Sequence, residues 1–150
     1  MQDFPHHYSA HASAGVDADV TLTSAGIPAI PTASPAEFGG PGDRWSPETL
    51  LVAAVADCFV LTFRAVARAS KLPWTALHCG VTGTLDRVDR VTQFTAFDLR
   101  AELCVPPGTD DQLARRSMDR AERACLVANS MKAPVHLHMQ VVNDCVKSAA

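Results

Sequence analysis

The chain has 150 residues, of which 47% are hydrophobic and 19% are charged, and its formal net charge is -3. This length is typical of one ordinary domain, so we predict a single domain over residues 1–150 that needs no disulfide or metal ion to fold. The hydrophobic fraction excludes a disordered chain, and a slight negative charge without a Lys/Arg run argues against nucleic acid or an anionic membrane as the main partner.

Targeting signals and cysteine spacing both indicate a cytoplasmic protein. The first residues lack the basic start and apolar stretch of a secretory signal. The most apolar stretch, residues 50–63, is interrupted by Asp57 and is too short to span a bilayer. The five cysteines are odd in number and include no CxxC pair, which disfavours a zinc knuckle and an extracellular disulfide framework. We therefore expect reduced thiols.

The first third of the chain predicts short strands followed by a loop. Residues 7–32 read as two or three strands, with turns around Gly15 and Gly26. Residues 33–45 hold too many glycines and prolines for regular structure.

A long helix follows this loop. Ser46 can cap it, Pro47 suits the first helical position, and Glu48 is favoured near the positive end of the helix dipole. We predict that the helix ends near Ser70, before Pro73.

The second half of the chain predicts a hairpin, a second helix and a last strand. Residues 76–88 alternate between apolar and polar side chains, and a similar strand follows them. A Thr-x-x-Gln capping box at Thr109 and Gln112 opens a helix over residues 110–127, and residues 135–142 form the last strand. The order βββ-α-ββ-α-β predicts an α+β fold with a mainly antiparallel sheet.

The first helix is apolar around nearly its whole circumference. A helix of this kind has to be covered on all sides, and one small sheet with one further helix would cover about half of it. The simplest cover for the rest is a second copy of the chain. We therefore expect an intimate homodimer.

From the apolar periodicity of the helices and strands alone, the cysteines are interpreted mainly as packing residues. Cys58 lies in the middle of the first helix and Cys125 near the end of the second, and most buried cysteines are small core residues. Cys79 falls on the apolar face of its strand and is expected in the core. Cys104 falls on a polar face and is predicted to be semi-exposed, and Cys145 lies in the C-terminal tail.

Two segments resemble a known family. Residues 46–59, SPETLLVAAVADCF, and residues 121–131, AERACLVANSM, resemble the first-cysteine and second-cysteine helices of the OsmC/Ohr superfamily of hydroperoxide-reducing proteins. The element order also matches from about Tyr8 to Val142. Two cysteine motifs in the right order are more specific than either motif alone. The resemblance implies an OsmC-like fold with two central helices and antiparallel sheets, in an intertwined homodimer with its active sites at the interface.

The resemblance also implies an activity, that of a thiol-dependent peroxidase conferring organic hydroperoxide resistance. Cys58 is then the peroxidatic residue, whose thiolate attacks the hydroperoxide and becomes a sulfenic acid. Cys125 is then the resolving residue, which condenses with that sulfenic acid to a disulfide. No bound cofactor is implied, and an external dithiol, often a lipoyl group, serves as the reductant.

This chemistry needs a thiolate at Cys58, and burial alone opposes one. Family members use an arginine on an early hairpin, held by a glutamate near the start of the cysteine helix. The glutamate corresponds to Glu48, which lies about 15 Å along the helix from Cys58 and so would serve the cysteine of the other copy. Residues 11–41 contain no Arg or Lys, so Arg44 is the nearest candidate, paired with Glu48. Asp57 is a second departure from the family pattern, because its negative charge opposes the thiolate.

These assignments have alternatives, some of them purely structural. Arg44 is equally interpretable as a solvated loop residue, and Glu48 as an ordinary first-turn glutamate. A metal site could gather histidines from the two ends of the chain, although their spacing is loose; they are His7, His11, His136 and His138. The main alternative function is a non-catalytic module that binds a small hydrophobic ligand around Cys58.

Overall fold

The computed structural model describes residues 3–143. Its elements are β1 (His11–Ser13), β2 (Val20–Ser24), β3 (Ile27–Thr32), α1 (Pro47–Ser70), β4 (Ala76–Val88), β5 (Val91–Val105), α2 (Asp111–Arg123), α3 (Leu126–Asn129) and β6 (Val135–Asn143), with a 3₁₀ turn at Ala36–Phe38. The chain divides into two compact units, Met1–Leu51 and Val52–Ala150. We describe each unit by itself, and the single domain over residues 1–150 stays a prediction.

The first unit contains an antiparallel sheet in the order β1-β2-β3. Ser24 pairs with Ile27, so the β2–β3 turn has only two residues, and Gly26 takes a left-handed φ of 78° there. Glycine tolerates this conformation because it has no Cβ. The prediction of short strands with a turn at Gly26 is confirmed.

The start of α1 is fixed by a reciprocal cap. The Ser46 hydroxyl accepts from the Thr49 amide at 3.2 Å, and the Ser46 amide donates to the Thr49 hydroxyl at 2.8 Å. These bonds satisfy polar groups that a helix end leaves open. The predicted cap and both predicted ends of this helix are confirmed.

α1 buries a single stripe of side chains, made of Val55, Phe59, Phe63 and Ala67. The opposite side is open, and Leu61 is 52% exposed there. The helix has 24 residues, and an 18-residue window in it reaches a mean hydropathy of 2.0, so by length and composition it could cross a membrane. The core helix of a soluble protein meets the same criterion, so this is weak evidence. Our sequence estimate of a segment too short to span counted only residues 50–63.

The second unit contains a sheet in the order β4-β5-β6. β4 and β5 form a long antiparallel hairpin, whereas β5 pairs with β6 in parallel, with Phe97 opposite Val135. The prediction of antiparallel sheets is therefore wrong for this pair. The physical reason is the connection, because α2 and α3 carry the chain back across the sheet before β6 begins, and such a crossover produces parallel strands.

The core of this unit lies between one face of the sheet and the helices. Its fully or nearly fully buried members are Val55, Phe59, Phe63, Ala67, Leu72, Phe97, Leu99, Ala101, Leu103, Val105, Ala114, Met118 and Ala121. Phe63 and Trp74 meet edge to face, with ring centroids 5.3 Å apart. Cys104 is fully buried, so the semi-exposed position predicted for it is wrong. The alternation of apolar and polar residues predicts on which face of a strand a residue lies, but it does not predict whether other elements bury that face.

The second predicted helix differs in both its cap and its end. Asp110, rather than Thr109, caps α2, accepting from the amides of Gln112 at 2.9 Å and Leu113 at 3.2 Å. The Thr109 hydroxyl instead donates to the carbonyl of Pro106 at 2.7 Å. α2 ends at Arg123, and a separate one-turn helix, α3, follows.

Candidate active site

Cys58 and Cys125 meet within the second unit. Cys58 is half-buried in the middle of α1, and Cys125 is only 1% exposed at the break between α2 and α3. Their thiols are in hydrogen-bond contact, with Cys125 as the donor. The two cysteines singled out by the sequence are thus neighbours in space, although 67 positions separate them (125 − 58).

The surroundings of Cys58 favour its thiolate. Burial is the largest influence and raises the pKa, but four hydrogen bonds act against it, and the net pKa of Cys58 is lowered. The donors are the Val127 amide, the Cys125 thiol, the Thr62 hydroxyl and the Leu126 amide. The Thr62 oxygen lies 4.0 Å from the Cys58 sulfur. A thiolate stabilised in this way is the reactive form of cysteine.

Cys125 has the opposite tendency. Burial is the largest influence and raises the pKa of its thiol, and the Ala128 amide is the next and lowers it. The hydrogen bond and charge of Cys58 raise the pKa again, the Val127 amide lowers it slightly, and the net pKa of Cys125 is raised. The pair therefore consists of one thiol that ionises readily and one that keeps its proton. Two sulfurs so arranged can share a proton and are placed for disulfide chemistry.

The donors to Cys58 come from a local feature of the chain that sequence reasoning missed. Cys125 lies at the break where α2 stops, and it precedes the first turn of α3, whose Leu126 and Val127 amides have no partner inside that helix. No glycine or proline marks this break, and we had predicted one helix through residue 127. The contact of Thr62 with Cys58 could have been predicted from the sequence, because residues i and i+4 of a helix lie on the same face.

Arg44 and Glu48 both lie in the first unit. The Arg44 guanidinium binds Asp19 at 3.0 Å and Asp43 at 2.9 Å, and the structure has no bond from it to Glu48. One oxygen of Glu48, Oε2, is buried, and among residues 3–143 it has no hydrogen-bond partner. The expected pair of Arg44 with Glu48 is thus not formed, and both catalytic assignments stay predictions.

A groove of about 960 Å³ runs beside α1 in the second unit. Its lining combines apolar and charged side chains: Ala53, Ala56, Asp57, Val60, Leu77, His78, Cys79, Gly80, Arg100, Ala101, Glu102, His138, Met139 and Gln140. Cys79 is the third free thiol of the described residues. Burial, helped by the charge of Cys125, raises the pKa of Cys79 to about 11. Cys79 is therefore a poor nucleophile near neutral pH.

Metal-ligating side chains come together at one place in the described part of the chain. His78, Glu102 and Cys104 bring their ligand atoms within 4.8 Å of one another, but Cys104 already takes part in another interaction. His136 and His138 are exposed on β6, and His138 binds Asp98 at 3.2 Å instead of a second histidine. Cys145 lies outside the described residues.

The family is decided by a match along most of the chain. Residues 40–140 match the OsmC family, described as OsmC-like protein. The chain belongs to the OsmC-like family. This match includes both cysteines and the whole of α1, β4, β5, α2 and α3.

Several known proteins are similar to this chain at low sequence identity. It is similar to the uncharacterised protein YmaD of Bacillus subtilis, at 24% identity over 139 residues, which are 90% of this chain and 93% of YmaD. An OsmC-like protein of unknown function from Vibrio cholerae superposes with a TM-score of 0.80 at 19% identity, covering 92% of this chain and 100% of that one. An organic hydroperoxide resistance protein OsmC from Legionella pneumophila superposes with a TM-score of 0.74 at 23% identity, covering 93% and 98%. The OsmC-like fold assigned from the sequence is confirmed.

Proposed function

We propose that this OsmC-like protein is a thiol-dependent peroxidase that reduces organic hydroperoxides. The observation that carries the proposal is the hydrogen-bonded pair of Cys58 and Cys125, with the pKa of Cys58 lowered and that of Cys125 raised. Two-cysteine peroxide reduction needs a thiolate that attacks the peroxide first, and beside it a second thiol that gives its proton to the leaving oxygen as its sulfur attacks the sulfenic acid.

The proposed cycle has three balanced steps. The Cys58 thiolate attacks the distal oxygen of the hydroperoxide, the O–O bond breaks, and the alkoxide takes a proton and leaves as an alcohol. The Cys125 sulfur then attacks the Cys58 sulfenic acid, forming the disulfide and releasing water with the thiol proton. An external dithiol of the lipoyl type attacks the disulfide and returns both cysteines to thiols, becoming a disulfide itself.

The family supports the proposal at a coarser level. The Legionella pneumophila relative bears the name of an organic hydroperoxide resistance protein, while YmaD is uncharacterised. We also propose a cytoplasmic location and a homodimer as the working form. The open side of α1, with Leu61 exposed, supports the homodimer.

We propose that Arg44 and Glu48 add to the activation of Cys58 across the dimer. The buried oxygen of Glu48, which has no hydrogen-bond partner among residues 3–143, supports this, because buried polar atoms in folded proteins normally have a hydrogen-bond partner. Replacing Arg44→Gln or Glu48→Gln is expected to lower turnover about ten-fold or more, as loss of a group that stabilises charge does. Arg90→Gln, which changes an exposed hairpin arginine, is the control. Unchanged turnover in both site variants would remove these two residues from the mechanism.

The deciding experiment is consumption of cumene hydroperoxide with reduced dihydrolipoamide. Wild type and Cys79→Ser are expected to turn over, and Cys58→Ser is expected to be inactive. Cys125→Ser is expected to stop after one oxidation, leaving a Cys58 sulfenic acid that dimedone traps. Turnover by Cys58→Ser at the wild-type rate would refute the mechanism.

The groove of about 960 Å³ supports a second candidate, a module that binds a small hydrophobic ligand without converting it. This candidate predicts that the ligand stabilises wild type and Cys58→Ser equally. It also predicts no peroxide consumption by wild type with reduced thiols, which is the opposite of the peroxidase outcome.

A further inference from the structure

One edge of α2 in the second unit is basic. The helix packs on the core through four buried side chains, which are Ala114, Ser117, Met118 and Ala121. Beside them runs a stripe that we call the basic edge, which consists of Arg116, Arg120 and Arg123, all exposed. Spacings of four and three residues keep these guanidinium groups on one side of the helix. The basic edge therefore presents three positive charges in a row to solvent.

The chain compensates little of this charge. On the far edge of the helix the one arginine, Arg115, is held by Asp111 at 2.7 Å. On the basic edge, the first arginine makes only a 4.0 Å ion pair with the carboxylate that caps α2. Within residues 3–143, the side chains of Arg120 and Arg123 make no ion pair or hydrogen bond. Asp119 lies between the two edges and is half-buried. The basic edge thus has guanidinium groups available to a partner.

The basic edge leads to the cysteine pair. Arg123 precedes Cys125 by two residues and Arg120 precedes it by five, so at 1.5 Å per residue both lie within about 8 Å of Cys125 along the helix axis. Cys125 is only 1% exposed, whereas Leu126, the next residue, is 73% exposed. An exposed apolar side chain and a row of positive charges therefore flank the buried sulfur that enters the disulfide of the proposed cycle.

We propose that the basic edge, together with Leu126, binds an acidic protein domain that carries the reducing dithiol on one of its own side chains. This inference rests on the proposed function, and it specifies both the form in which the dithiol arrives and the surface that receives it. A lipoyl group joined to a lysine of a carrier domain is a dithiol of this kind. The acidic groups of the domain pair with the guanidinium groups while the lipoyl arm reaches the disulfide.

The charges and the position of the edge favour this occupant. Attraction between opposite charges speeds the encounter of two proteins, and a domain held beside the disulfide raises the effective concentration of its dithiol there. Nucleic acid is a poorer fit, because the basic edge is a single narrow stripe on a chain with a net charge of -3.

The reaction at the bound carrier is thiol–disulfide exchange. One lipoyl thiolate attacks a sulfur of the Cys58–Cys125 disulfide and forms a mixed disulfide. The second lipoyl thiolate then attacks the lipoyl sulfur of that bond, which closes the lipoyl disulfide and releases the other cysteine. Two electrons pass from the lipoyl group to the cysteines, and the two protons of its thiols end on them.

A carrier-bound dithiol compared with a free one tests the surface. The two reductants are a recombinant acidic lipoyl domain in its dihydrolipoyl form and free dihydrolipoamide, each with cumene hydroperoxide. Arg120→Gln and Arg123→Gln together are expected to lower kcat/KM for the lipoyl domain at least about ten-fold, mainly through KM. The same variant should keep the wild-type kcat/KM for dihydrolipoamide, which is uncharged.

Salt and two matched variants provide the controls. Raising NaCl from about 50 mM to about 300 mM should slow wild type with the lipoyl domain and change the double variant much less, because salt screens exposed charges. Arg87→Gln with Arg90→Gln removes the same charge from the β4–β5 hairpin, and Arg115→Gln removes one from the far edge of α2. Both should behave as wild type with either reductant.

Several results would overturn the inference. These are a double variant that uses the lipoyl domain as wild type does, an equal loss with both reductants, a control variant with the same loss, and a wild type that binds a DNA duplex more tightly than the lipoyl domain. Isothermal titration calorimetry with the lipoyl domain measures binding without turnover, and an equal dissociation constant for wild type and the double variant would also overturn it. The inference and the proposed function therefore fail separately, because turnover with dihydrolipoamide reports the peroxidase alone.

Discussion

The Cys125 thiol donates a hydrogen bond to the sulfur of Cys58, and this bond acts on the two pKa values in opposite directions. Burial raises the pKa of each thiol, yet the net pKa of Cys58 is lowered, because it also accepts from Thr62 and from the amides of Val127 and Leu126. Among residues 3–143, the groups that lower the pKa of Cys58 are thus hydrogen-bond donors and not cations. The arginine that the resemblance led us to expect is thus not among the groups that set the pKa of Cys58.

Alkylation with iodoacetamide is expected to separate, by the pH dependence of their rates, the three free thiols found among residues 3–143. The rate at Cys58 should reach half its maximum below the ordinary thiol range, whereas Cys79, with a pKa of about 11, should react only in strong alkali. Cys125→Ala removes a donor to the thiolate, so it should move the Cys58 profile to higher pH. Peptide mapping by mass spectrometry measures all three rates, and an unmoved profile would contradict the assigned donor.

Thr62 is expected to tune Cys58 through its hydroxyl. Thr62→Val keeps the shape of the side chain but removes the donor 4.0 Å from the Cys58 sulfur, so the Cys58 pKa should rise and the alkylation rate at pH 7 should fall. Thr62→Ser keeps the hydroxyl and should behave as wild type. A loss of rate that is the same in both variants would indicate a packing role instead.

The two glycines of β4 are expected to differ sharply in their tolerance of alanine. A Cβ at Gly83 would lie 2.8 Å from the Phe94 ring and 3.0 Å from a Val52 methyl, whereas a Cβ at Gly80 would meet nothing within 4 Å. Gly83→Ala should therefore lower the free energy of unfolding by about 1–3 kcal/mol, the usual effect of overpacking. Gly80→Ala should not lower it, and urea denaturation compares the two variants.

The cap of α2 distinguishes the sequence prediction from the structure. Asp110→Ala removes the acceptor for the Gln112 and Leu113 amides and should lower the free energy of unfolding by about 1 kcal/mol. In the predicted Thr-x-x-Gln box the Gln112 side chain would also be a capping group. In the structure it is exposed, and among the described residues its side chain accepts only from Arg116. Gln112→Ala should therefore change stability by less than about 0.5 kcal/mol. A larger loss for Gln112→Ala than for Asp110→Ala would favour the original box.

The features that could be predicted from the sequence depend on residues close to one another in the chain. The ends of α1 follow from Ser46, Pro47 and the absence of a breaker before Ser70, and all of these act within one turn of the residue concerned. The two strands of the β4–β5 hairpin follow from alternation. Together with the two cysteine motifs, these features sufficed for the family.

What could not be predicted depends on how distant segments meet. The parallel pairing of β5 with β6 is set by the path of the crossover, and the burial of Cys104 by what covers its face. The amides that stabilise Cys58 come from a helix break, and no glycine or proline at positions 124 and 125 indicates that break in the sequence. Arg44 has Asp43 and Glu48 close by in the sequence, yet it binds Asp43 and Asp19, and Asp19 is 25 residues away. The sequence does not show which of these carboxylates the folded chain brings to Arg44.

The break between α2 and α3 links the oxidation state of the sulfurs to the backbone. The amides of Leu126 and Val127 donate to the Cys58 sulfur, and their acceptor is strongest when that sulfur carries a charge. A disulfide sulfur is neutral and a weak acceptor, so oxidation deprives both N–H groups of their charged partner. The nuclear magnetic resonance shifts of these two N–H groups, and the rates at which their hydrogens exchange in heavy water, would then report the oxidised fraction of the protein without any added label.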